Sequence, residues 1–544
     1  MFASVVNKFL KKKTITHEQV ITVLYGSHSG NSTFIAKEAK KYLQKHDVTL
    51  RLINMSKYNF CELENERQVL VVVSTQGEGE PPESARRFYR ALFSASAPRL
   101  DRLSFAVCGL GDSSYEHFCQ TGKDMDRRLE ELGATRFLER VDCDVEFHQA
   151  AADWLSNVLS SYQKGTKEVS EPIDLVVDDQ RETFEASIRE KYRLNEGSDS
   201  ATYHVVLAVN HPGFSYEPGD SVSIVPQNPP ALVDLVLRRL NLSSETTVTY
   251  QNETHLLKEL LTNTFELTSL SKGVLTRYQL LVNHPRLEKL LNHADDLTAY
   301  LKDHDVADLF SDFPSHAEPG LLIPIFRKIQ PRLYSIASSG NACPGEVHLT
   351  VKHICFSAHG RNREGACSGY LNQWLEVGAQ VQIRVVPNEQ FRVPKSATIP
   401  AIMIGAGTGV APFRAFLQER SLQDQASKNW LFFGEKRQQY DFFYREDWSN
   451  WLSRNVLSRL DLAFSRDRED KIYVQHKVKQ ESVTFFEWLQ EGAHVYICGS
   501  VAMGHEVRQA VVEVIQQQDN CSSEKATSYL QNLIDEDRWH VDVY

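Results

Sequence analysis

Ile21-Thr22-Val23-Leu24-Tyr25-Gly26-Ser27-His28-Ser29-Gly30-Asn31-Ser32 is a β-rich run that breaks at once into a loop of glycine and small polar residues. The run reads as a strand, and the loop has what a phosphate monoester needs at the start of a helix. Backbone N–H groups donate, Ser27, Ser29, Asn31 and Ser32 add polar side chains beside His28, and Gly30 gives clearance where the chain passes closest. Taken alone, a Ser/Gly-rich turn with an N-cap explains the same letters. A second loop of another type, Gly405-Ala406-Gly407-Thr408-Gly409, follows the apolar run Ile402-Met403-Ile404.

Outward from the first loop, residues 20–161 alternate β runs (Ile21–Tyr25, Val69–Val73, Phe105–Cys108) with amphipathic stretches near Thr33–Tyr42, Pro82–Phe93 and Asp124–Leu132. This rhythm predicts a doubly wound parallel sheet with ligands at the carboxyl ends of its strands. Residues 1–19 form an N-terminal segment, and the polar, aperiodic stretch 162–180 reads as a hinge linker. Residues 181–392 read as an antiparallel barrel, with strands such as Thr202–Val209, Ser221–Val225, Val347–Val351 and Val381–Val385. A Leu-rich helical insertion at about 228–325 interrupts it (Leu232, Leu235, Leu237, Leu240; Leu256, Leu257, Leu260, Leu261). A second α/β block, 393–544, ends the chain, with no internal repeat.

A length of 544 residues predicts three or four domains. No run approaches the ~20 apolar residues of a membrane span. The first residues put Lys11-Lys12-Lys13 after a short apolar stretch, the reverse of a secretory signal. Nine cysteines without a Cys-x-x-Cys pair argue against a zinc or iron–sulfur site and for a reducing, cytoplasmic setting. A net charge of −11 speaks against nucleic acid and suits docking onto a basic surface.

Two more strand ends fall on the edge of the first loop: Ser74-Thr75-Gln76-Gly77-Glu78-Gly79-Glu80-Pro81-Pro82 and Leu110-Gly111-Asp112-Ser113-Ser114-Tyr115-Glu116-His117-Phe118-Cys119. Tyr115 suits stacking on an isoalloxazine ring while the Gly77 and Gly111 backbones meet its polar rim. This segment resembles the flavodoxin-like FMN module of the NADPH-dependent diflavin reductases, and its motifs are nearest to those of the sulfite reductase flavoproteins. The resemblance implies that FMN is held by residues 27–32, by Ser74, Thr75, Gln76 and Gly77, and by 110–119.

In the barrel, Arg332-Leu333-Tyr334-Ser335, Thr350-Val351-Lys352 and Gly365-Ala366-Cys367-Ser368 are similar in order and separation to what the family uses for FAD. A strand Arg can pair with a pyrophosphate, and a Gly-x-x-Ser turn opening a helix at Tyr370–Leu375 offers N–H groups. Thr268 occupies a place where the family has a flavin contact, and Phe356 replaces a tyrosine, which loses a hydroxyl and keeps a ring.

Gly405–Arg414 departs from the Rossmann fingerprint because its third glycine comes one residue early, and it resembles the Gly-x-Gly-x-Gly-x-Ala-Pro loop of the ferredoxin-reductase superfamily, with Gly407 and Thr408 at the cofactor. Ser465-Arg466 and Lys471-Ile472-Tyr473-Val474-Gln475 supply the cations and hydroxyls that a 2′-phosphate requires, which selects NADPH over NADH. Glu506 completes the expected set. The family places a cysteine, the serine of Arg-x-Tyr-Ser and a C-terminal carboxylate around the nicotinamide, here Cys498, Ser335 and Asp542, with Tyr544 as a lid on the flavin. Two departures stand out: Ser500 follows Gly499 where an Asp is usual, and the segment before Met503 is one residue shorter.

The resemblance implies electron flow from NADPH to FAD to FMN and on to the sulfite reductase haemoprotein, which would dock on an acidic rim of Glu78, Glu80, Glu83, Asp112, Glu116, Asp142 and Asp144. Alternatives are a reductase serving a P450 or another haem protein, a partner-independent flavin or quinone reductase, and a flavin-binding sensor. The sequence leaves the oligomeric state open.

Overall fold

A computed structural model describes residues 20–27, 30–46, 48–76, 79–113, 117–145, 147–162, 182–423 and 428–544. The first sheet holds β1 (Val20–Gly26), β2 (Thr49–Asn54), β3 (Gln68–Ser74), β4 (Ser104–Leu110), β5 (Thr135–Arg136) and β6 (Val141–Cys143). All are parallel in the order β2-β1-β3-β4-β5, with β6 also on β4. Its strands are apolar on both faces because helices cover both. Leu70, Val72, Ala106 and Cys108 pack under the helices Asn31–Lys45 and His148–Tyr162. Val69, Val71, Phe105 and Val107 pack with Phe88 and Met125 of the helices Glu83–Leu92 and Gln120–Glu131. The order reverses between β1 and β3, so the crevice opens where the first phosphate loop begins.

The barrel comprises β7 (Phe184–Arg193), β8 (Thr202–Val209) and β9 (Ser221–Ile224) and, after the insertion, three further strands. The insertion carries helices at Pro230–Arg239, Leu257–Asn263, Lys272–Val282, Pro285–Leu291, Ala294–Asp303, Val306–Asp312 and Pro319–Leu322. It also carries a hairpin the leucine spacing did not predict, β10 (Thr247–Tyr250) with β11 (Glu253–Leu256). Its two-residue turn places Gln251 and Asn252 at φ 52° and 66°, a left-handed turn without the usual glycine, so Leu256 ends a strand instead of opening a helix. The remaining strands are β12 (Arg332–Ser335), β13 (Glu346–Lys352), the hairpin β14 (Cys355–Ala358) and β15 (Arg361–Glu364), and β16 (Gln380–Val386). The antiparallel order is β12-β9-β16-β7-β8-β13, and a bridge between Ile336 and Leu349 joins the two end strands.

The last sheet is parallel, in the order β19-β18-β17-β20-β21, from β17 (Ala401–Ala406), β18 (Asn429–Glu435), β19 (Arg459–Phe464), β20 (His494–Gly499) and β21 (Trp539–Val543). Its reversal lies between β17 and β20, where the glycine loop leaves the sheet. Two compact units emerge: one runs up to Asp178 and takes in Ser271–Thr276 and Leu290–Leu301, and the other holds Asp179–Leu270, Arg277–Lys289 and Lys302–Tyr544. Among the described residues no helix is long and apolar enough to cross a membrane.

Candidate active site

The last sheet and the barrel meet at a small polar cluster. Pairing of β20 with β21 sets Cys498 opposite Asp542, and pairing of β17 with β20 sets Gly405 opposite Cys498. From β12 of the barrel, Ser335 Oγ donates to Asp542 Oδ2 at 3.3 Å, and Cys498 Sγ lies 3.9 Å from the same oxygen. Burial, reinforced by the Asp542 charge, pushes the Cys498 thiol well up, so it stays a neutral donor. Tyr544 N–H donates to the Gly499 carbonyl at 3.0 Å, and its hydroxyl lies 2.9 Å from Thr408 Oγ1 while the residue is 57% exposed. The glycine loop passes so close to β20 that a Cβ on Gly409 would lie 2.1 Å from the Cys498 carbonyl oxygen. That contact explains why the third glycine comes one residue early.

At the other end of this sheet, Arg466 Nη1 pairs with Asp199 Oδ2 at 2.7 Å. Asp199 sits in the β7–β8 connection and also meets Lys436 Nζ at 2.7 Å and Arg437 Nη1 at 3.6 Å. The hydrogen bond from Lys436 and the charges around it hold the Asp199 carboxyl below its usual range. Lys436 and Arg437 escaped the sequence reading, although they follow β18 as Ser465-Arg466 follows β19 and the two strands are paired neighbours. Ser465 is fixed by N–H and Oγ donation to the Glu435 carbonyl, at 2.9 and 3.3 Å. Lys471 and Tyr473 are exposed. Gln475 is buried, gives Nε2–H to Glu506 at 3.0 Å and keeps an Oε1 with no partner. Both line a cavity of about 430 Å³ with His476, Lys479, His505 and Gln509. Ser500 Oγ accepts from Met503 N–H at 3.2 Å and caps the helix Val501–Gln518, a task Ser shares with Asp. An unsatisfied buried amide oxygen, three cations gathered on one carboxylate and a loop with no room for a Cβ at Gly405 or Gly409 fit a dinucleotide.

On the barrel, Arg332 and Leu333 are exposed, and burial, with Cys367 beside it, pushes the Tyr334 phenol up. Thr350 is buried on the face of β13 away from the barrel core: its Oγ1 lies 2.7 Å from Tyr444 Oη, which also meets His204 Nδ1 at 2.9 Å. Val351 is buried in the barrel core and Lys352 is exposed. The helix expected at Tyr370–Leu375 begins at Ala366, capped by Gly365 without a side-chain bond, and continues as a π-turn through Trp374. Gly365 is tight, since a Cβ there would meet Ser368 Oγ at 2.8 Å. Phe356 is 43% exposed on β14. Thr268 bonds Glu266 Oε1 through both N–H and Oγ1, at 2.8 and 2.5 Å. An exposed arginine beside an uncapped helix start fits a pyrophosphate. Behind β12 and β13, His204 Nε2 and His348 Nδ1 lie 3.1 Å apart, and Arg414 bridges the Ala337 carbonyl and Asp447 at 2.8 and 2.6 Å. Burial and the Arg414 charge depress the two imidazoles to about 2 and about 4, so both are neutral.

On the first sheet, Ser27 Oγ accepts from Gly30 N–H at 2.9 Å, and Gly30, at φ 91°, precedes the 15-residue helix Asn31–Lys45. That helix start has no side-chain cap and no acidic residue in its first turn. Ser32 Oγ is buried without a partner. The bare helix start and the orphaned hydroxyl fit a phosphate. Gln76 and Glu80 exchange backbone hydrogen bonds, Thr121 N–H donates to Thr75 Oγ1 at 3.2 Å, and Gly111 N–H donates to the Cys143 carbonyl. These bonds fix the loops after β3 and β4, whose Leu110 and Cys119 are buried, Asp112 and Phe118 half-buried and His117 exposed. His28, Ser29, Gly77, Glu78, Ser114, Tyr115 and Glu116 lie outside the described residues. The acidic rim is less bare than its sequence suggests: Glu83 pairs with Arg86, Asp142 with Arg140, and Asp144 accepts from Ser113.

Three modules with these cradles define a diflavin oxidoreductase that holds FMN, FAD and NADPH and moves electrons from NADPH to flavin. Residues 23–154 match the flavodoxin family, 177–299 and 283–370 the FAD binding domain, and 403–509 the oxidoreductase NAD-binding domain. The chain is 41% identical to the sulfite reductase [NADPH] flavoprotein alpha-component of Bacillus subtilis (strain 168), covering 96% of this chain and 89% of that protein. It is 39% identical to that of Shewanella sp. (strain MR-4), over 97% and 90%, and 37% identical to that of Escherichia coli O1:K1 / APEC, over 96% and 90%. The chain belongs to the family of NADPH–sulfite reductase flavoprotein alpha-components.

Proposed function

We propose that this chain delivers electrons from NADPH to a sulfite reductase haemoprotein subunit, in the cytoplasm, for reduction of sulfite to sulfide. Held in these sites, FAD would supply hydride acceptance from NADPH and FMN would supply one-electron transfer onward. The observation that carries the reading is the meeting of Ser335, Cys498 and Asp542. Asp542 is a fixed negative charge, oriented by the Ser335 hydroxyl and the neutral Cys498 thiol, and it stabilises the positive charge left when a hydride departs. Tyr544 is exposed and its hydroxyl is tied to Thr408, which suits a ring that must move aside for nicotinamide.

Arg332 with the helix start at Gly365–Ser368 would hold the FAD pyrophosphate, and Leu333, Tyr334 and Phe356 its rings. The Thr350 and Thr268 hydroxyls are already engaged, so Thr350–Lys352 and Thr268 would contribute through the backbone. Ser27–Ser32, Ser74–Gly77 and Leu110–Cys119 would hold FMN. Gly407, Thr408, Ser465, Arg466, Lys471, Tyr473, Gln475 and Glu506 would hold NADPH, joined by Lys436 and Arg437. The assigned domains are 20–161, 181–392 with its insertion at about 228–325, and 393–544; the hinge at 162–180 and the segment 1–19 lie almost wholly outside the described residues.

Purified chain mixed with a sulfite reductase haemoprotein should drive NADPH-dependent sulfide formation. Rapid NADPH–ferricyanide turnover with no sulfide would leave the diflavin chemistry standing and transfer the acceptor role to another haem protein.

A further inference from the structure

We propose that Asp303, His304 and His359 form a binding site for a divalent transition metal, with Zn²⁺ the best match. Asp303 ends the helix Ala294–Asp303, His304 follows it, and His359 sits at the tip of the β14–β15 hairpin, so the two come from segments 56 residues apart (359 − 303). Asp303 Oδ1 lies 2.8 Å from His304 Nδ1 and 3.3 Å from His359 Nε2, and the three ligand atoms all lie within 4.8 Å of one another. Ligands of a tetrahedral zinc, at bond lengths near 2.0–2.1 Å, stand about 3.3 Å apart, so small side-chain adjustments bring all three onto one ion. The two imidazole rings lie with centroids 3.9 Å apart at an interplanar angle of 45°, close enough to share one ion.

The surroundings favour a cation. Asp312 Oδ2 lies 3.7 Å from His304 Nε2, the nitrogen that faces away from the cluster. A carboxylate behind a liganding imidazole is the usual outer-shell partner that fixes its orientation and raises its basicity. Neighbouring Asp305 and Asp308 are met by Arg361 and Arg363, while Asp303 and Asp312 approach the imidazoles. The other cluster of this kind among the described residues, Cys343, Glu346 and His348, contrasts with it: Arg189 pairs with Glu346, and Arg414 lies 3.4 Å from His348. Two imidazoles and one carboxylate with a fourth position for water match Zn²⁺ better than Mg²⁺ or Ca²⁺, which prefer oxygen. A bound ion would tie the hairpin that carries Phe356 to the helical insertion. The site stands apart from the cofactor assignments.

The test is a zinc titration of the full chain, stripped with chelator, in competition with a zinc-binding dye. His359→Asn suits its left-handed backbone, φ 49°, because Asn tolerates that region. The wild type should bind one more equivalent than His359→Asn or His304→Gln, with affinity for it falling at least roughly tenfold in each, the lower bound even for outer-shell changes. Cobalt in the same site should give a visible band that both variants lose, while NADPH–ferricyanide turnover stays unchanged and certifies the fold. Equal zinc binding in wild type and both variants overturns the proposal, as does a matching loss in His255→Gln, which would mark surface binding.

Discussion

The two loops assigned to phosphates would solve the same problem in opposite ways. At the first, no described residue would touch a Cβ on Gly30 within 4 Å, and its φ of 91° is what demands glycine. The donors there are uncharged: an uncapped helix start and a buried, unpartnered Ser32 hydroxyl. At the second, Gly409 is pressed onto the carbonyl of Cys498, and the anion clamp is a set of cations already answered by Asp199. A neutral, preformed cradle suits a ligand that stays; a clamp that trades one anion for another suits one that comes and goes.

The contrast is tested most severely by adding a methyl group to each loop. Gly409→Ala must move β20 and with it Cys498, and a misplacement near 1 Å at a reacting centre costs roughly 10²-fold. NADPH-driven flavin reduction in stopped flow should fall by about that much while FMN content stays normal. Gly30→Ala meets only the left-handed backbone penalty of about 1–2 kcal/mol, so FMN affinity should drop roughly 5- to 30-fold and FAD reduction should be untouched. Equal effects on both functions would erase the distinction.

Acid separates the regions next. The His204–His348 pair is held neutral behind the barrel, with folded values near 2 and 4 against 6.5 when free. Below pH 6.5 the unfolded chain binds these protons and the folded chain does not, so the stability they contribute is complete above pH 6.5 and is lost as pH falls, down to about 4 for His348 and about 2 for His204. At pH 5 each histidine should cost about 2 kcal/mol. His348→Gln should remove about half of that acid loss in urea unfolding. Tryptophan fluorescence reports it, because six of the seven tryptophans, all but Trp154, lie in the second unit. An unchanged pH profile would mean that the pair is hydrated.

What the sequence made legible follows from how local its causes were. Individual strands and the glycine loops were readable because apolar periodicity and backbone clearance act over a few residues. Ser335, Cys498 and Asp542 were named through the family resemblance, since no local rule joins residues on three strands. Asp199 was invisible for a related reason: it is a solvated aspartate in a turn until the fold brings Lys436, Arg437 and Arg466 around it. The β10–β11 hairpin was hidden by a Gln-Asn turn, and the burial of Thr350 against Tyr444 by an alternation that only pairing with β8 fixes.

Removing one donor from the first loop and one cation from the Asp199 cluster gives an intermediate effect. Ser32→Ala deletes a hydroxyl that has no partner until phosphate arrives, so apo stability should hold or rise while FMN affinity falls roughly 10- to 150-fold, the range for hydrogen bonds to charged groups. Arg466→Ala should raise KM for NADPH about tenfold, the low end of that range because Arg466 is exposed, and leave NADH nearly unchanged. Equal losses for both dinucleotides would take Arg466 out of the 2′-phosphate clamp.

The smallest effect is the most diagnostic, because it should be a gain. If Asp199 stands where the 2′-phosphate must come, binding NADPH means breaking its pairs with Arg466, Lys436 and Arg437. Exposed pairs of this kind contribute about 0.2–1 kcal/mol each, so Asp199→Asn should lower KM for NADPH by roughly two- to fivefold. NADH has no 2′-phosphate and should be indifferent. The gain should shrink as salt is raised, since the freed cations are solvated and screened within about 8–10 Å at 0.1–0.15 M. A weaker grip on NADPH in Asp199→Asn would reverse the assignment: Asp199 would then be the post that holds the cations in place, and the second loop would be as preformed as the first.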